Sequence, residues 1–450
     1  MTYIPHTDAE RRDMLAAIGQ ARVEDLFDNI PSHVRFPELK LPPPASELDV
    51  GRDMRALAAR NLAVDPSLSF LGAGAYQHFR PAVVDYVLSR GEFYTSYTQY
   101  QPEVSQGMLQ ALFEYQSLIC ALTAMEVSNA SHYDGATALA EAVLLALNVT
   151  QGKRRKIVMS PAVHPQYRAV VKTYLRGTEL ATVTGDQDGS AGLDQLTSLL
   201  DDSTAALVIQ NPNFFGQLEA VDGLADAVHR AGALLVVVTD PVALGLFRPP
   251  GAYGADVVVA DGQALGIPPS FGGPHLGIFA TRMAHVRRLS GHLVGETVDA
   301  DGRRGYVLTL ATREQHIRRA KATSNICTNS AVCALGAAVY LSTLGRTGLR
   351  QVAETCYHRS HYAAEAIAKL KGFAVNQQAP SQGFFKEFVV RLPRPSADVN
   401  RHLRERHGIV GGYDLGRDYP HLQAHMLIAV TEVNTRESID RLIRALSEVS

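Results

Sequence analysis

Short apolar runs alternate with stretches of helical spacing along the chain from about residue 120 onward. Five runs have the length of buried strands: KIVMS at 156–160, AALVIQ at 205–210, LLVVV at 234–238, DVVVA at 256–260 and LGIFA at 276–280. Helix-like segments lie between several of these runs, at 161–174, 191–200 and 219–231. Buried strands that alternate with helices predict an α/β fold, with a largely parallel sheet and helices on both faces.

The two ends of the chain follow different patterns and predict accessory parts. Residues 1–65 predict an N-terminal arm, because a capped helix and a second helical stretch at 48–63 flank three consecutive prolines. The small-residue and apolar segment 328–345 predicts a buried helix that ends a large domain, 66–345. Strand-like segments followed by a helical one then predict a small α+β domain, 346–450.

Composition and charge restrict the class of protein. Apolar residues make up 46 % and charged residues 20 % of the chain, as in ordinary globular domains, and the formal net charge is −2. This charge gives no field that would attract nucleic acid or an anionic membrane surface. No apolar run reaches the roughly 18 residues that a membrane span needs. The N-terminal segment MTYIPHTDAERRDML lacks the apolar core of a signal peptide. We therefore expect a cytoplasmic location.

Small residues open a helix in the segment SHYDGATALAEA. Gly135, Ala136 and Thr137 would let backbone N–H groups approach a phosphate, which the N-terminus of a helix also favours electrostatically. His132 and His164 fall in loops beside this predicted pocket, where a histidine could stack on a cofactor ring or fill a structural position. A plain helix start with small residues is the simpler explanation when the loop is considered alone.

Two further loops bear on a pyridine cofactor. Asp240 follows a predicted strand, where a carboxylate can keep the ring nitrogen of pyridoxal phosphate protonated. A helix cap or a turn before Pro241 is the alternative. Gln263 lies just after DVVVA, where enzymes of this layout place the lysine that binds the cofactor as a Schiff base. An amide nitrogen is not nucleophilic, and no lysine occurs between Lys172 and Lys321. A cofactor in this chain's own pocket would therefore lack its covalent anchor.

Several long segments resemble the P-protein, or glycine decarboxylase, family of the glycine cleavage system. They are YIPHT near the start and the segments at 71–116, 129–142, 251–277 and 312–331. The resemblance continues to the C-terminal VTEVNTRESIDRL and covers essentially the whole chain. Ala320 stands where a glutamate is usual, and Ser290 and His292 replace the common proline and arginine. These departures concern the contacts of two loops and leave the family assignment intact.

The resemblance implies a fold and a division of labour between two subunits. The implied fold is the aspartate-aminotransferase-like fold-type I of pyridoxal-phosphate-dependent transferases, with a mostly parallel large domain and a small C-terminal α+β domain. The family occurs either as one long polypeptide with two homologous halves or as two chains, and 450 residues match one half. The loop at Gln263 resembles the N-terminal half, called subunit 1 or alpha. The lysine then belongs to subunit 2.

The same resemblance implies a partner, a cofactor and a reaction. The expected assembly is a heterotetramer with two copies of each chain. Pyridoxal phosphate would be bound by the lysine-bearing subunit near the interface, with none covalently bound to this chain. The implied reaction is the decarboxylation of glycine, followed by transfer of the aminomethyl group to the lipoyl arm of the H-protein. This transfer reduces the lipoyl disulfide. The complex would thus be an oxidoreductase of glycine catabolism.

A subunit without the cofactor lysine can still shape the active site. The residues expected to line the channel or the interface are Tyr97, Tyr100, Gln101, Glu103, Arg313, Lys321 and Asn325. The vestigial cofactor pocket would be formed by Gly135, Ala136, Thr137, His164, Asp240 and Gln263. Ordinary interface packing of tyrosines and a solvated charged face are the alternatives for the first set. No catalytic residue and no metal site are expected in this chain alone.

Two cysteines near the basic segment TREQHIRRAKATSNICT were considered as metal ligands. Cys327 and Cys333 are six positions apart, which is the wrong spacing for a zinc pair, and no matched second pair occurs. Free cysteine is most often buried. We therefore expect both residues to be core thiols.

Two other functions remain open from the sequence. The chain could be an independent homodimeric pyridoxal-phosphate lyase or decarboxylase with Lys321 as its anchor, although Lys321 lies far beyond the predicted strand and loop. It could also be a non-catalytic regulatory paralogue. Co-purification with a lysine-bearing partner and a glycine–bicarbonate exchange assay distinguish these functions from that of a P-protein subunit.

Overall fold

The computed structural model describes residues 5–95, 99–177, 181–184, 192–376 and 383–449. The chain divides into two units, Met1–Ala63 and Val64–Ser450. The first unit contains the helices α1 (Asp8–Ala17) and α2 (Glu47–Ala58). The hydroxyl of Thr7 accepts the N–H of Glu10, and the Glu10 carboxylate accepts the N–H of Thr7 in return. This reciprocal pair satisfies two donors that a helix N-terminus leaves free.

The second unit contains the remaining helices and strands of the described residues. Its helices are α3 (Ala82–Leu88), α4 (Gly91–Tyr94), α5 (Gln106–Thr123), α6 (Gly135–Val149), α7 (Pro165–Tyr174), α8 (Leu193–Ser198), α9 (Leu224–Arg230), α10 (Gln315–Arg318), α11 (Ala331–Ile367), α12 (Ser396–His407) and α13 (Arg436–Ser447). Its strands are β1 (Val127–Ser128), β2 (Lys156–Met159), β3 (Ala181–Thr184), β4 (Thr204–Gln210), β5 (Leu234–Thr239), β6 (Val257–Asp261), β7 (Gly277–Thr281), β8 (Val294–Val298), β9 (Arg304–Leu308), β10 (Ala374–Val375), β11 (Glu387–Arg391), β12 (Tyr413–Asp414) and β13 (His425–Ala429). All five apolar runs that the sequence predicts as strands are strands.

The main sheet has seven strands in the order β1-β7-β6-β5-β4-β2-β3. Strands β2 to β6 run parallel to one another, whereas β7 is antiparallel to both β6 and β1. Leu207 and Ile209 of β4 enter the core on one face, with side chains from α5, α9 and α11. Val208 enters the core on the other face, with side chains from α6 and α7. Because both faces are buried, the strands are continuous apolar runs.

The C-terminal part is built on a second sheet. Its four strands, in the order β10-β11-β13-β12, are antiparallel, and α12 and α13 share its core with the end of α11. Helix α11 is longer than the predicted segment 328–345 and is interrupted at Gly345, with φ 58° and ψ −172°. The predicted division at residues 65 and 345 stays a prediction. Helix α11 is long and apolar enough to cross a membrane by length and composition, yet many of its side chains lie in the main core.

Candidate functional site

A cavity of about 40 Å³ lies at the carboxyl ends of β4, β5 and β6, the edge where parallel sheets bind ligands. Of the six residues predicted for the vestigial pocket, His164 and Asp240 line this cavity. Side chains from β11 and from the segment around Tyr76 close it from the other side. The strand-end loops therefore meet as the parallel arrangement requires, and the segments around Tyr76 and β11 contribute the remaining wall.

Asp240 follows β5 and makes two kinds of contact. Its Oδ1 accepts the N–H of Val242 at 2.9 Å, which is the turn that the sequence left open as an alternative. Its Oδ2 lies 2.7 Å from Nζ of Lys386, whose side chain is only 2 % exposed. The carboxylate thus has a buried cationic partner from within the chain.

Lys386 precedes β11 and is held from three sides. Besides Asp240, its Nζ lies 3.4 Å from the centre of the Tyr76 ring, a cation–π distance. The same Nζ donates to Nε2 of His78 at 3.1 Å. Nδ1 of His78 lies 2.7 Å from Oε2 of Glu432. Since Nε2 accepts from the ammonium, Nδ1 carries the proton and donates it to the carboxylate.

Glu432 ends this chain of polar contacts. Burial acts to raise the pKa of Glu432, but His78 and the N–H of Phe79 outweigh burial and lower the pKa to about 2. The thiol of Cys356 also lies 3.3 Å from Oε2. His78, Cys356 and Glu432 offer three metal-ligand atoms within 4.8 Å of one another, as do His402, His407 and Glu448 elsewhere. In the first group the ammonium of Lys386 opposes a cation electrostatically.

Gln263 occupies the loop where the sequence expects the missing lysine. Its Oε1 accepts the N–H of Tyr76 at 2.8 Å, and its Nε2 donates to the carbonyls of Tyr76 at 2.9 Å and Ile267 at 2.6 Å. The side chain is buried and does not line the cavity, so it belongs to the wall and not to the open pocket. The structure therefore corrects the expected place of Gln263, because backbone groups take all the hydrogen bonds of its amide.

The start of α6 was predicted as a phosphate-binding loop from Gly135, Ala136 and Thr137. None of the three lines the cavity. Oδ1 of Asp134 accepts the N–H of Thr137 at 2.8 Å, and Oδ2 of Asp261 accepts the N–H of Gly135 at 3.2 Å. Two carboxylates of the chain itself therefore take N–H groups that a phosphate would need.

Tyr167 further restricts this helix start. A Cβ atom added at Gly135 would lie 2.2 Å from the Tyr167 hydroxyl oxygen and 2.9 Å from the N of Asp261. The approach is so close that only glycine fits at this position. The sequence correctly indicated that a group comes close to the small residue at the start of this helix. That group is the hydroxyl of Tyr167 of this chain.

His164 stacks on a side chain of the protein. Its ring lies 4.8 Å from the Tyr167 ring, with 24° between the planes. Nδ1 accepts the N–H of Gln166 at 3.2 Å, so the proton lies on Nε2, which donates to the carbonyl of Ala73 at 2.8 Å. Burial lowers the pKa of His164, which keeps the ring neutral. One face of the ring and both ring nitrogens are thus occupied within the chain.

Glu387 is a further pocket residue that the sequence did not single out. Its Oε1 accepts the N–H of Ala73 at 2.7 Å, and its Oε2 accepts the hydroxyl of Tyr76 at 2.8 Å. Burial raises the pKa of Glu387 to about 7. Lys386 and Glu387 interrupt the apolar run FFKEFVV, and this interruption was the one available signal, because charged residues are seldom buried unless they are paired.

The predicted channel residues lie in several environments. Tyr97 lies outside the described residues. The hydroxyl of Tyr100 donates to the carbonyl of Cys327 at 2.6 Å, and its ring meets His292 and His316 edge-on. Five described residues of the set are exposed: Tyr100, Gln101, Glu103, Lys321 and Asn325. Cys327 is also exposed, contrary to the expected core thiol, because it lies in the loop before α11, whereas Cys333 is buried as expected.

Arg313 has a role inside the chain. It is buried, and its guanidinium donates to the carbonyls of Leu289 and Gly291, at 2.7 Å for the second. The two terminal nitrogens of the guanidinium therefore bond within the chain, whereas its buried Nε has no hydrogen-bond partner among the described residues. They hold the loop in which Ser290 and His292 depart from the family pattern.

The two departures have structural partners. The hydroxyl of Ser290 lies 2.9 Å from Nε2 of His132, and burial lowers the pKa of His132 to about 3. Nδ1 of His292 lies 2.8 Å from Oε2 of Glu314, and both side chains are almost fully buried. His132 is thus held through Nε2, while its buried Nδ1 has no hydrogen-bond partner among the described residues.

A second and larger cavity, of about 680 Å³, lies beside α6 and α10. Arg319 and Asn325 line it together with Glu141, which is buried and accepts the hydroxyl of Ser324 at 2.9 Å. Burial raises the pKa of Glu141 to about 7. This cavity has the volume of a small-molecule site. Of the predicted channel residues that the structure describes, Asn325 alone lines it.

Comparison of the amino-acid sequence with known proteins identifies a family. A family model described as glycine cleavage system P-protein matches residues 1–446. A probable glycine dehydrogenase (decarboxylating) subunit 1 from Thermomicrobium roseum is 55 % identical over 452 residues, covering 100 % of both chains. A protein of the same name from Geobacillus kaustophilus is 52 % identical over 448 residues, covering 99 % of this chain and 98 % of that one.

Solved structures agree with this relationship. A crystal structure of glycine decarboxylase (P-protein) of the glycine cleavage system, in inhibitor-bound form, is 46 % identical, covers 100 % of both chains and superposes with a TM-score of 0.89. A glutamate decarboxylase from Lactobacillus brevis, only 16 % identical, covers 92 % of this chain and 95 % of its own with a TM-score of 0.67, which shows the fold alone. The prediction of a fold-type I α/β architecture is confirmed. From the family match and the full-length relatives, it follows that the chain belongs to the glycine cleavage system P-protein family.

Proposed function

We propose that this chain is the subunit of a two-chain glycine decarboxylase that holds no cofactor itself. The observation that carries the proposal is the side chain of Gln263, which stands in the loop of the expected lysine and is committed to three backbone hydrogen bonds. An amide cannot form a Schiff base, so a second, lysine-bearing subunit must bind the pyridoxal phosphate. The relatives named subunit 1 support the existence of such a partner.

Pyridoxal phosphate does not fit the pocket of this chain. Asp240 is paired with Lys386, the N–H of Gly135 is bonded to Asp261, and His164 is stacked on a tyrosine. The remaining 40 Å³ is room for only a few waters, since one water needs roughly 10–15 Å³. Sites for small ligands are on the order of 300–1,000 Å³. No chemical step is therefore assigned to this pocket.

In the proposed complex, the cofactor of the second subunit supplies the electron sink for decarboxylation of glycine, and the lipoyl arm of the H-protein receives the aminomethyl group. This chain would contribute one side of the channel. The exposed Arg319 and Asn325, which line the larger cavity, support such a role, as does the exposed Tyr100, whose hydroxyl bonds the carbonyl of Cys327. A heterotetramer with two copies of each chain and a cytoplasmic location belong to the same proposal.

Two lysines could in principle support an independent enzyme, and neither has the required position. Lys321 is exposed and does not line the cavity at the strand ends. Lys386 lies in that cavity, but its Nζ contacts Asp240, the partner of a ring nitrogen, and not the loop of Gln263. Both positions favour a subunit that depends on its partner.

Co-expression with a lysine-bearing second subunit tests the proposal. We expect glycine–bicarbonate exchange, dependent on H-protein, from the complex and from neither chain alone. Full exchange by the second subunit alone, or by this chain alone, would contradict the proposal. Size-exclusion chromatography with light scattering checks the stoichiometry independently, since two copies of each chain predict one peak of defined mass.

A further inference from the structure

We propose that this chain carries built-in substitutes for both charged ends of the cofactor, with the ammonium of Lys386 in place of the protonated ring nitrogen and the carboxylate of Asp261 in place of the phosphate. The two substitutes lie on different segments, just before β11 and at the end of β6. Both meet groups that a fold-type I pocket would offer to a cofactor: Asp240 at one end and the N-terminus of α6 at the other. The charge of Asp240 and the N-terminus of α6 are therefore each paired with a charged side chain of this protein, without a bound ligand.

The cationic substitution follows from the surroundings of Asp240. A carboxylate at this strand end normally faces a pyridinium, and its burial is costly without a positive partner. Here Nζ of Lys386 lies 2.7 Å from Oδ2, and the side chains of Lys386 and Asp240 are 2 % and 14 % exposed. The face of the Tyr76 ring, 3.4 Å from Nζ, adds a second interaction that stabilises the positive charge.

The anionic substitution follows from the start of α6. Helix N-termini favour anions because their first N–H groups and the helix dipole point toward them. Oδ2 of Asp261 accepts the N–H of Gly135 at 3.2 Å, and Nδ1 of His275 lies 3.4 Å from the same oxygen. Oδ1 of Asp261 also accepts the N–H of Gln263 at 2.9 Å. One carboxylate thus joins the helix start to the loop of the missing lysine.

The region between the two charges is also filled. The Tyr167 ring lies against His164, where a stacked cofactor ring would be expected, and its hydroxyl lies close to Gly135. Replacement of a ligand by side chains makes the pocket part of the folded core. The stability of the chain should then depend on the Lys386–Asp240 pair and should not depend on pyridoxal phosphate.

A double-mutant cycle on the full-length chain, purified with its second subunit, tests the cationic substitution. The variants are Lys386→Met, Asp240→Asn and the two combined, with the exposed Lys369→Met as the matched control. Lys386→Met leaves the half-buried carboxylate of Asp240 without its cationic partner, so we expect the melting temperature of this subunit to fall by roughly 5 °C. Adding Asp240→Asn should restore a large part of that loss, and the control should not change it. Strictly additive effects of the two substitutions would overturn the assignment.

A labelling experiment tests the prediction that the pocket excludes the cofactor. The same complex is incubated with excess pyridoxal phosphate and reduced with borohydride, and its peptides are analysed by mass spectrometry. We expect the phosphopyridoxyl label on the second subunit and none on the peptide that contains Lys386. A stoichiometric label on Lys386 would overturn the inference. Neither experiment uses glycine, so failure of glycine exchange would affect the proposed function without affecting this result.

Discussion

The carboxamide of Gln263 binds the main chain of Tyr76 through both of its polar atoms, accepting its N–H at 2.8 Å and donating to its carbonyl at 2.9 Å. The side chain that replaces a cofactor lysine thus joins the strand-end loop to the segment around residue 76 by hydrogen bonds. That segment in turn presents its ring to Lys386. Tyr76 therefore contacts both Gln263, which stands in place of the lysine, and Lys386, which fills the pocket.

Replacing Gln263 by alanine should destabilise the chain without any change in cofactor content. The variant loses three buried hydrogen bonds, each worth about 1 kcal/mol, so the free energy of unfolding should fall by about 2–4 kcal/mol. Urea unfolding measures the loss, with the exposed Gln351→Ala as control. A variant as stable as the control would show that the hydrogen bonds of the Gln263 side chain do not contribute to the stability of the fold.

Tyr100→Phe should lower turnover of the reconstituted complex by about three- to tenfold, a loss of roughly 1 kcal/mol in the transition state. The hydroxyl holds the carbonyl of Cys327 in the loop before α11. Tyr362→Phe is the matched control, because it removes a hydroxyl that donates to Asp440 in the C-terminal part. Glycine–bicarbonate exchange is the measurement. Equal kinetics for both variants would contradict a channel role for Tyr100.

The stability of the chain should fall as the pH rises from about 5 to 7, partly because of Glu141. Burial raises the pKa of this carboxyl from 4.5 to about 7 in the folded chain. Between these two values the folded state binds more protons than the unfolded state, so raising the pH favours unfolding, by up to about 3 kcal/mol. Glu141→Gln should reduce this slope in unfolding experiments at several pH values. The exposed Glu296→Gln should keep it, and an unchanged slope in Glu141→Gln would contradict the prediction.

Arg319→Ala should raise the KM for lipoyl H-protein while leaving the stability unchanged. Arg319 is exposed and lines the larger cavity, near Asn325, so it is available to a partner surface or a ligand. A rim cation steers association and loses its effect at high salt, so we expect about a threefold effect that disappears as ionic strength rises. Arg346→Ala on α11, which is also exposed, is the control. A salt-independent effect, or an equal effect of the control, would argue against a docking role.

The pattern of the sequence determined the scaffold. Strands β2, β4, β5, β6 and β7 were predictable because each is a local apolar run buried on both faces, and the helices between them because their spacing is also local. The positions of Asp240 and Gln263 after strands followed from the same pattern. The antiparallel direction of β7 did not, since pairing direction depends on contacts between segments that the pattern does not show.

Only the tertiary structure decided what fills the pocket. Lys386 lies far along the chain from Asp240, just before a strand of another sheet, and the two residues meet only where the folded chain lines the cavity at the strand ends. The internal bonds of Arg313 were likewise set by contact with another loop, which the local pattern does not show. The sequence by itself determined that an amide stands where an amine is needed. Folding decided that Lys386 and Asp261 supply the charges that a cofactor would bring. The reason is that a buried ionised group needs a partner nearby in space, whatever the distance between the two along the chain.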